Sequence, residues 1–159
     1  MPLDTVKSVA DISFMEGHWK GEGWIMGRDR TKKHFSQTEN IQYKAGQQVL
    51  MVEGLGYALD NTGVITSKII HDAFGIISYN KAQDAVTMIS FSKQNGRMEV
   101  PMVSLGNRQL QWSFKNEQSG SLIRFTMDFS AEGKWTEEGA FSMDGTNWFP
   151  FFEMQLDRQ

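Results

Sequence analysis

The feature that most restricts the fold of this chain is strict two-residue alternation in its second half. Leu110, Trp112 and Phe114 share one face opposite Gln111, Ser113 and Lys115, and Ile123, Phe125, Met127 and Phe129 repeat the pattern opposite Arg124, Thr126 and Asp128. Trp148, Phe152, Met154 and Leu156 do so again, with Pro150 among them. Successive side chains project to opposite sides only on an extended strand, so each segment has one wet face and one bulky apolar face. Helical spacing is scarce. Only the first sixteen residues, where Val6, Val9, Ile12 and Phe14 are unevenly spaced, suit a helical turn or two before the strands begin.

Fifteen glycines punctuate the whole length and separate short stretches rich in β-branched and aromatic residues. That spacing predicts a sandwich or barrel of about ten strands. The expected strands cover 18–27, 31–43, 48–58, 64–71, 74–80, 85–94, 97–104, 108–116, 121–130 and 134–157, the last folded as a hairpin. Asp60-Asn61-Thr62-Gly63, Asn95-Gly96, Gly106-Asn107 and Asp144-Gly145 supply turn residues that tolerate positive φ. Short loops without intervening helices make sequential neighbours antiparallel. A meander this long leaves two exposed edges unless it closes, so the fold class is all-β, an antiparallel up-and-down β-barrel.

At 159 residues the chain fits one domain, residues 1–159. Eleven Phe, ten Met, five Trp and three Tyr are a heavy load of bulky side chains for that size, and they must fill or line an interior. The formal charge of −3 is small and the Lys and Arg residues are scattered, which disfavours nucleic acid and anionic membranes as partners. No stretch approaches the roughly 20 apolar residues of a membrane-spanning helix. The opening Met-Pro-Leu-Asp-Thr-Val-Lys lacks the basic start and apolar core of a secretory signal, so a cytoplasmic location is expected. With no cysteine, thiolate metal sites and cysteine nucleophiles are excluded.

Three further passages carry resemblances. The segment Phe14-Met15-Glu16-Gly17-His18-Trp19-Lys20-Gly21-Glu22-Gly23 resembles the opening of calycin barrels, where a short helical turn leads into Gly-x-Trp on the first strand. The resemblance implies that Trp19 plugs the closed end of the barrel and that a basic residue of the last strand, here Arg158, packs over its indole. Phe74-Gly75-Ile76-Ile77-Ser78-Tyr79-Asn80 and Ser142-Met143-Asp144-Gly145-Thr146-Asn147-Trp148, with Asp157-Arg158 beyond, resemble a bacterial lipocalin-like family of unknown function. Gly17, Trp19, Gly21, Glu22 and Gly23 are also similar to the start of nitrobindins, which implies haem held by a histidine near the C-terminus. No histidine follows His71 here, and no cofactor is expected.

The chemical candidates are few. His18, His34 and His71 make no His-Glu-x-x-His pairing, so no metal site is expected. Glu22, Glu53 and Glu99 lie within strand patterns, and an inward carboxylate in a dry barrel would have a perturbed pKa. The expected function is a binding module for a small apolar or amphipathic molecule. Tyr57, His71, Met88, Trp112, Phe125 and Phe141 form its walls, and Glu53 is the polar anchor. The rivals are a barrel enzyme in which His71 and a carboxylate exchange protons, a nitrobindin-like haem protein, and a solidly packed barrel acting through its surface or as a homodimer.

Overall fold

The computed structural model describes residues 4–159, so the first three residues of the opening segment lie outside the described residues. Twelve strands form one antiparallel sheet: β1 (Asp4–Thr5), β2 (Gly17–Met26), β3 (Lys32–Lys44), β4 (Val49–Leu59), β5 (Ile65–Asn80), β6 (Ala85–Ser92), β7 (Gly96–Pro101), β8 (Val103–Gly106), β9 (Gln109–Lys115), β10 (Leu122–Asp128), β11 (Lys134–Ser142) and β12 (Phe149–Arg158). The order around the sheet is β1-β8-β9-β10-β11-β12-β2-β3-β4-β5-β6-β7, an up-and-down meander joined where the last strand pairs with the first long one. The count is twelve where about ten are expected, for identifiable reasons. Residues 64–71 and 74–80 run together as β5 because Asp72 and Ala73 stay paired with Leu55 and Gly54, 97–104 breaks at Met102 into β7 and β8, the hairpin 134–157 counts as β11 and β12, and Asp4–Thr5 adds a short edge.

The seam between the two edge strands, β1 and β7, is bridged rather than left as two bare edges. Val6 donates to the Met102 carbonyl at 2.9 Å and accepts from the Val86 amide at 2.7 Å, while the Met102 amide donates to the Val86 carbonyl at 2.9 Å. These bonds occupy main-chain groups that an open sheet would leave for a foreign strand. The barrel is nearly closed.

One end is shut. The 3-10 helix Val9–Met15, with Ser8 as its N-cap, buries Val9, Ile12 and Met15 across it. Trp19 lies behind the helix and donates its indole N–H to the Met15 carbonyl at 3.0 Å. Phe129 and Trp135 meet the indole edge-on at 5.5 and 5.8 Å between ring centroids, a geometry the ring quadrupoles favour. Arg158 stacks on the other side, its guanidinium carbon 4.3 Å from the ring centroid, and its two nitrogens donate to the carbonyls of Phe14, at 2.9 Å, and Glu16. The last strand thus ties down the first helix. At the opposite end stand the β2–β3, β4–β5, β6–β7, β9–β10 and β11–β12 connections, where the barrel stays open.

Candidate functional site

Register decides what faces the interior. Gln37 pairs with Gly21 and Gly56, and Glu39 with Trp19 and Gly54, so the inward set on β3 is Phe35, Gln37, Glu39 and Ile41. The matching inward positions are Val52, Gly54 and Gly56 on β4, and His71, Ala73, Gly75 and Ile77 on β5. On the far wall Trp135 and Glu137 stand beside Leu156 and Met154.

The glycines make this arrangement fit. A Cβ at Gly54 would come within 2.6 Å of a Glu39 carboxyl oxygen, and one at Gly56 would overlap the Gln37 side-chain oxygen. Gly21 and Gly23 likewise leave the inner face of β2 bare, because a Cβ there would strike the backbone of β12. At these two positions β2 places no side chain between Gln37 and Phe35 on β3 and Leu156 and Met154 on β12.

What remains inside is a cavity of about 390 Å³, the size of a site for a small organic molecule. Its upper wall is aromatic: Trp112 and Phe125 stack at 4.4 Å, Phe125 meets Phe152 edge-on at 5.7 Å, and Phe152 stacks on Phe35 at 5.7 Å. Met88, Met98 and Met154 supply deformable surface between the rings. Its floor is polar. Gln37 donates to a Glu39 carboxyl oxygen at 2.9 Å, and Glu137 faces the same space from β11.

Burial dominates the electrostatics of that floor. Loss of water pushes Glu39 up to about 7, partly offset by the hydrogen bond from Gln37. Glu137 is pushed up to about 8, by burial first and then by the charge of Glu39. His71 moves the other way: burial lowers its pKa against the pull of Asp72, so its ring favours the neutral form. Among the described residues two buried side-chain polar atoms have no hydrogen-bond partner, the Gln37 side-chain oxygen and the Trp135 indole N–H, and both residues line the cavity.

Of the residues expected to line the interior, His71, Met88, Trp112 and Phe125 do so. Glu53 does not. It points outward from β4 and accepts from the Asn40 amide at 3.1 Å on the outer surface, so it cannot be the polar anchor. Tyr57 is outward as well, paired with Ser36 on the opposite parity to Gln37, and Phe141 packs on Phe149 and Phe151 outside the cavity lining. Trp148 precedes β12 and lies under Arg124, 3.9 Å from the guanidinium carbon, because the bulge at Gly139/Ala140 breaks the alternation that groups it with Phe152. Glu22 and Glu99 also take the outward parity, Glu22 opposite Ser36 and Glu99 accepting from Asn80 and Thr87.

The carboxyls that do face inward, Glu39 and Glu137, went unmarked in the sequence. A usable signal exists: Glu39 is two residues from Ile41, Glu137 two from Trp135, and Gly54 and Gly56 vacate the facing positions. The histidine near the C-terminus that the likeness of the opening motif to nitrobindins implies as a haem ligand has no counterpart here. The C-terminal hairpin presents Trp135, Glu137, Phe152 and Met154 to the cavity, with no imidazole. Among the described residues no cluster of three or more His, Asp or Glu side chains is placed to hold a metal ion.

No family model matches the chain, and no curated protein matches it. Among solved structures, the crystal structure of Rv2717c from M. tuberculosis is similar over 98% of this chain and 99% of that one, with a TM-score of 0.69 at 12% sequence identity. At that identity the likeness shows the fold, and the nearly closed antiparallel barrel fits a lipocalin-like architecture. No described helix is long and apolar enough to cross a membrane.

Proposed function

We propose that this barrel is a binding protein for one small, largely apolar molecule carrying a polar group, held inside the cavity. The observation that carries this reading is the way the interior space is kept. Ala73 and Gly75 stand on the inner face of β5 and line the cavity, and an added Cβ at Gly75 would meet nothing nearer than 3.5 Å, so larger residues there would fill a solid core. A core selected only for stability packs to high density, since unfilled volume forfeits dispersion contacts and apolar burial. Aromatic faces above and hydrogen-bonding groups below match the usual anatomy of a small-molecule site.

The acid–base alternative draws on the inward His71, yet among the described residues no hydrogen bond joins its ring to a carboxyl group. Binding is therefore the reading favoured by the geometry. Titration with the neutral fluorophore N-phenyl-1-naphthylamine tests it, with Ala73→Phe as a variant that fills the cavity from β5. Saturable one-to-one enhancement that weakens by about tenfold or more in the filled variant is expected, since the probe and the new ring compete for one space. Enhancement that never saturates, or that is unchanged in Ala73→Phe, would refute it.

A further inference from the structure

The floor of the cavity gathers the acceptor groups of Gln37, Glu39 and Glu137, and the Gln37 oxygen among them has no donor, while the Trp135 indole N–H stands unpaired elsewhere in the lining. Gln37, 2% exposed, spends its amide N–H on Glu39, and its side-chain oxygen is left without a partner although it lines the cavity. A buried amide oxygen that lacks a donor is costly to keep, so its place beside two carboxyl groups implies a donor that arrives with the ligand. The titratable groups facing this space are Glu39 from β3, Glu137 from β11 and His71 from β5, and among the described residues no lysine or arginine lines it. Burial holds His71 toward its neutral form, so no fixed positive charge balances the two acids.

We propose that the cavity takes an amphiphilic organic cation, a primary amine whose ammonium group donates to the Gln37 oxygen and to the carboxyl groups of Glu39 and Glu137, while its apolar part lies against Phe35, Trp112 and Phe125. This names the ligand class of the cavity and rests on the binding function proposed above. The three donors of an ammonium group match three acceptors on the floor. An alcohol brings one donor and satisfies one of them. A carboxylate brings only acceptors and a like charge into a space of low dielectric, where repulsion is least screened. Binding makes and breaks no covalent bond. The cation takes the place of protons that burial keeps on the acid pair, so those protons leave to solvent as the amine enters.

Calorimetric titration of the whole chain with decylamine, decanol and decanoate at neutral pH tests this. Charge-assisted hydrogen bonds should make decylamine bind about tenfold or more tighter than decanol, and decanoate should be the weakest. Repeating the amine titration in two buffers of different ionisation enthalpy should show on the order of one proton released per amine bound. In the double variant Glu39→Gln/Glu137→Gln the amine should lose its advantage, the ratio of its affinity to that of decanol in the same variant falling to about one. Circular dichroism reports whether the variant is folded; if it is not, the ranking and proton release of the natural chain decide. Equal affinity of the three probes, absence of proton release, or an amine preference that survives in the folded double variant would overturn the proposal. If N-phenyl-1-naphthylamine binds but decylamine gains nothing over decanol, only the ligand class falls. If no probe binds, both readings fall.

Discussion

Glu39 and Glu137 set how the stability of this protein depends on pH. Burial raises both above the carboxyl's ordinary range, so the folded chain holds their protons more tightly than the unfolded chain does. Stability from this source is complete below the ordinary value of 4.5 and is lost as pH rises through about 7 and about 8. For Glu39 the loss is on the order of 3 kcal/mol. The melting temperature is therefore expected to fall between pH 5 and pH 8.5, and Glu39→Gln should flatten that fall and raise the value at pH 8.5. Scanning calorimetry at both pH values checks this, and a pH-independent melting temperature in the natural chain would contradict it. Glu137 is hard to read from sequence because Glu138 beside it offers a carboxyl on the other parity, and Glu39 because Ser36-Gln37-Thr38-Glu39-Asn40 is polar on both parities. Neither face stands out there. Glu53 misled for the opposite reason: Met51, Leu55 and Tyr57 on its own parity imitate a core face, while the true inward positions are occupied by Val52 and two glycines.

Among the elements, β2 and β4 show two uses of glycine that differ in cost. At Gly21 an added Cβ would meet the backbone of Gln155 and Leu156, which cannot move without pulling β12 from its register. At Gly54 it would meet the end of the Glu39 side chain, which can rotate away. Gly21→Ala is expected to destabilise by about 3 kcal/mol or more and Gly54→Ala by about 1 kcal/mol, although the second should disturb the cavity floor more. Urea unfolding of the two variants separates them, and equal losses would show that β12 yields where the packing says it should not. The helical opening tells a similar story. Its 3-10 helix has weak intrinsic support, with a non-helical Ile12 in its middle, and is fixed from outside by Arg158. Arg158→Ala should cost about 2 kcal/mol through the lost hydrogen bonds and cation–π contact, with a change in Trp19 fluorescence as the helix loosens. An unaltered emission spectrum would mean the arginine is dispensable to the plug.

In the whole molecule, closure depends on a few main-chain bonds at one seam. Val6 joins β6 to the turn between β7 and β8, so the barrel is completed by the residue just after its shortest strand. Val6→Pro removes the N–H donated to Met102. Amide exchange at Val86 and Met102 should then quicken by about tenfold or more, with exchange in β10 unchanged, because local opening follows local hydrogen bonding. Uniform acceleration throughout would instead indicate that the seam and the barrel open together.

The sequence by itself determined the strand-rich meander, its turns, the aromatic load of the interior, and the Trp19 and Arg158 pairing that its opening motif implied. These follow from local rules: alternation marks a strand, Asp-Gly and Asn-Gly mark turns, and bulky apolar residues on one parity mark a buried face. Only the tertiary structure decided which acids face inward, that Asp72-Ala73 is crossed without a turn, and that a cavity remains over a polar floor. Those depend on partners far away in the chain. A strand's inward parity is invisible where its residues are all polar or where glycine holds the inner positions, and it emerges only when the register with neighbouring strands is set.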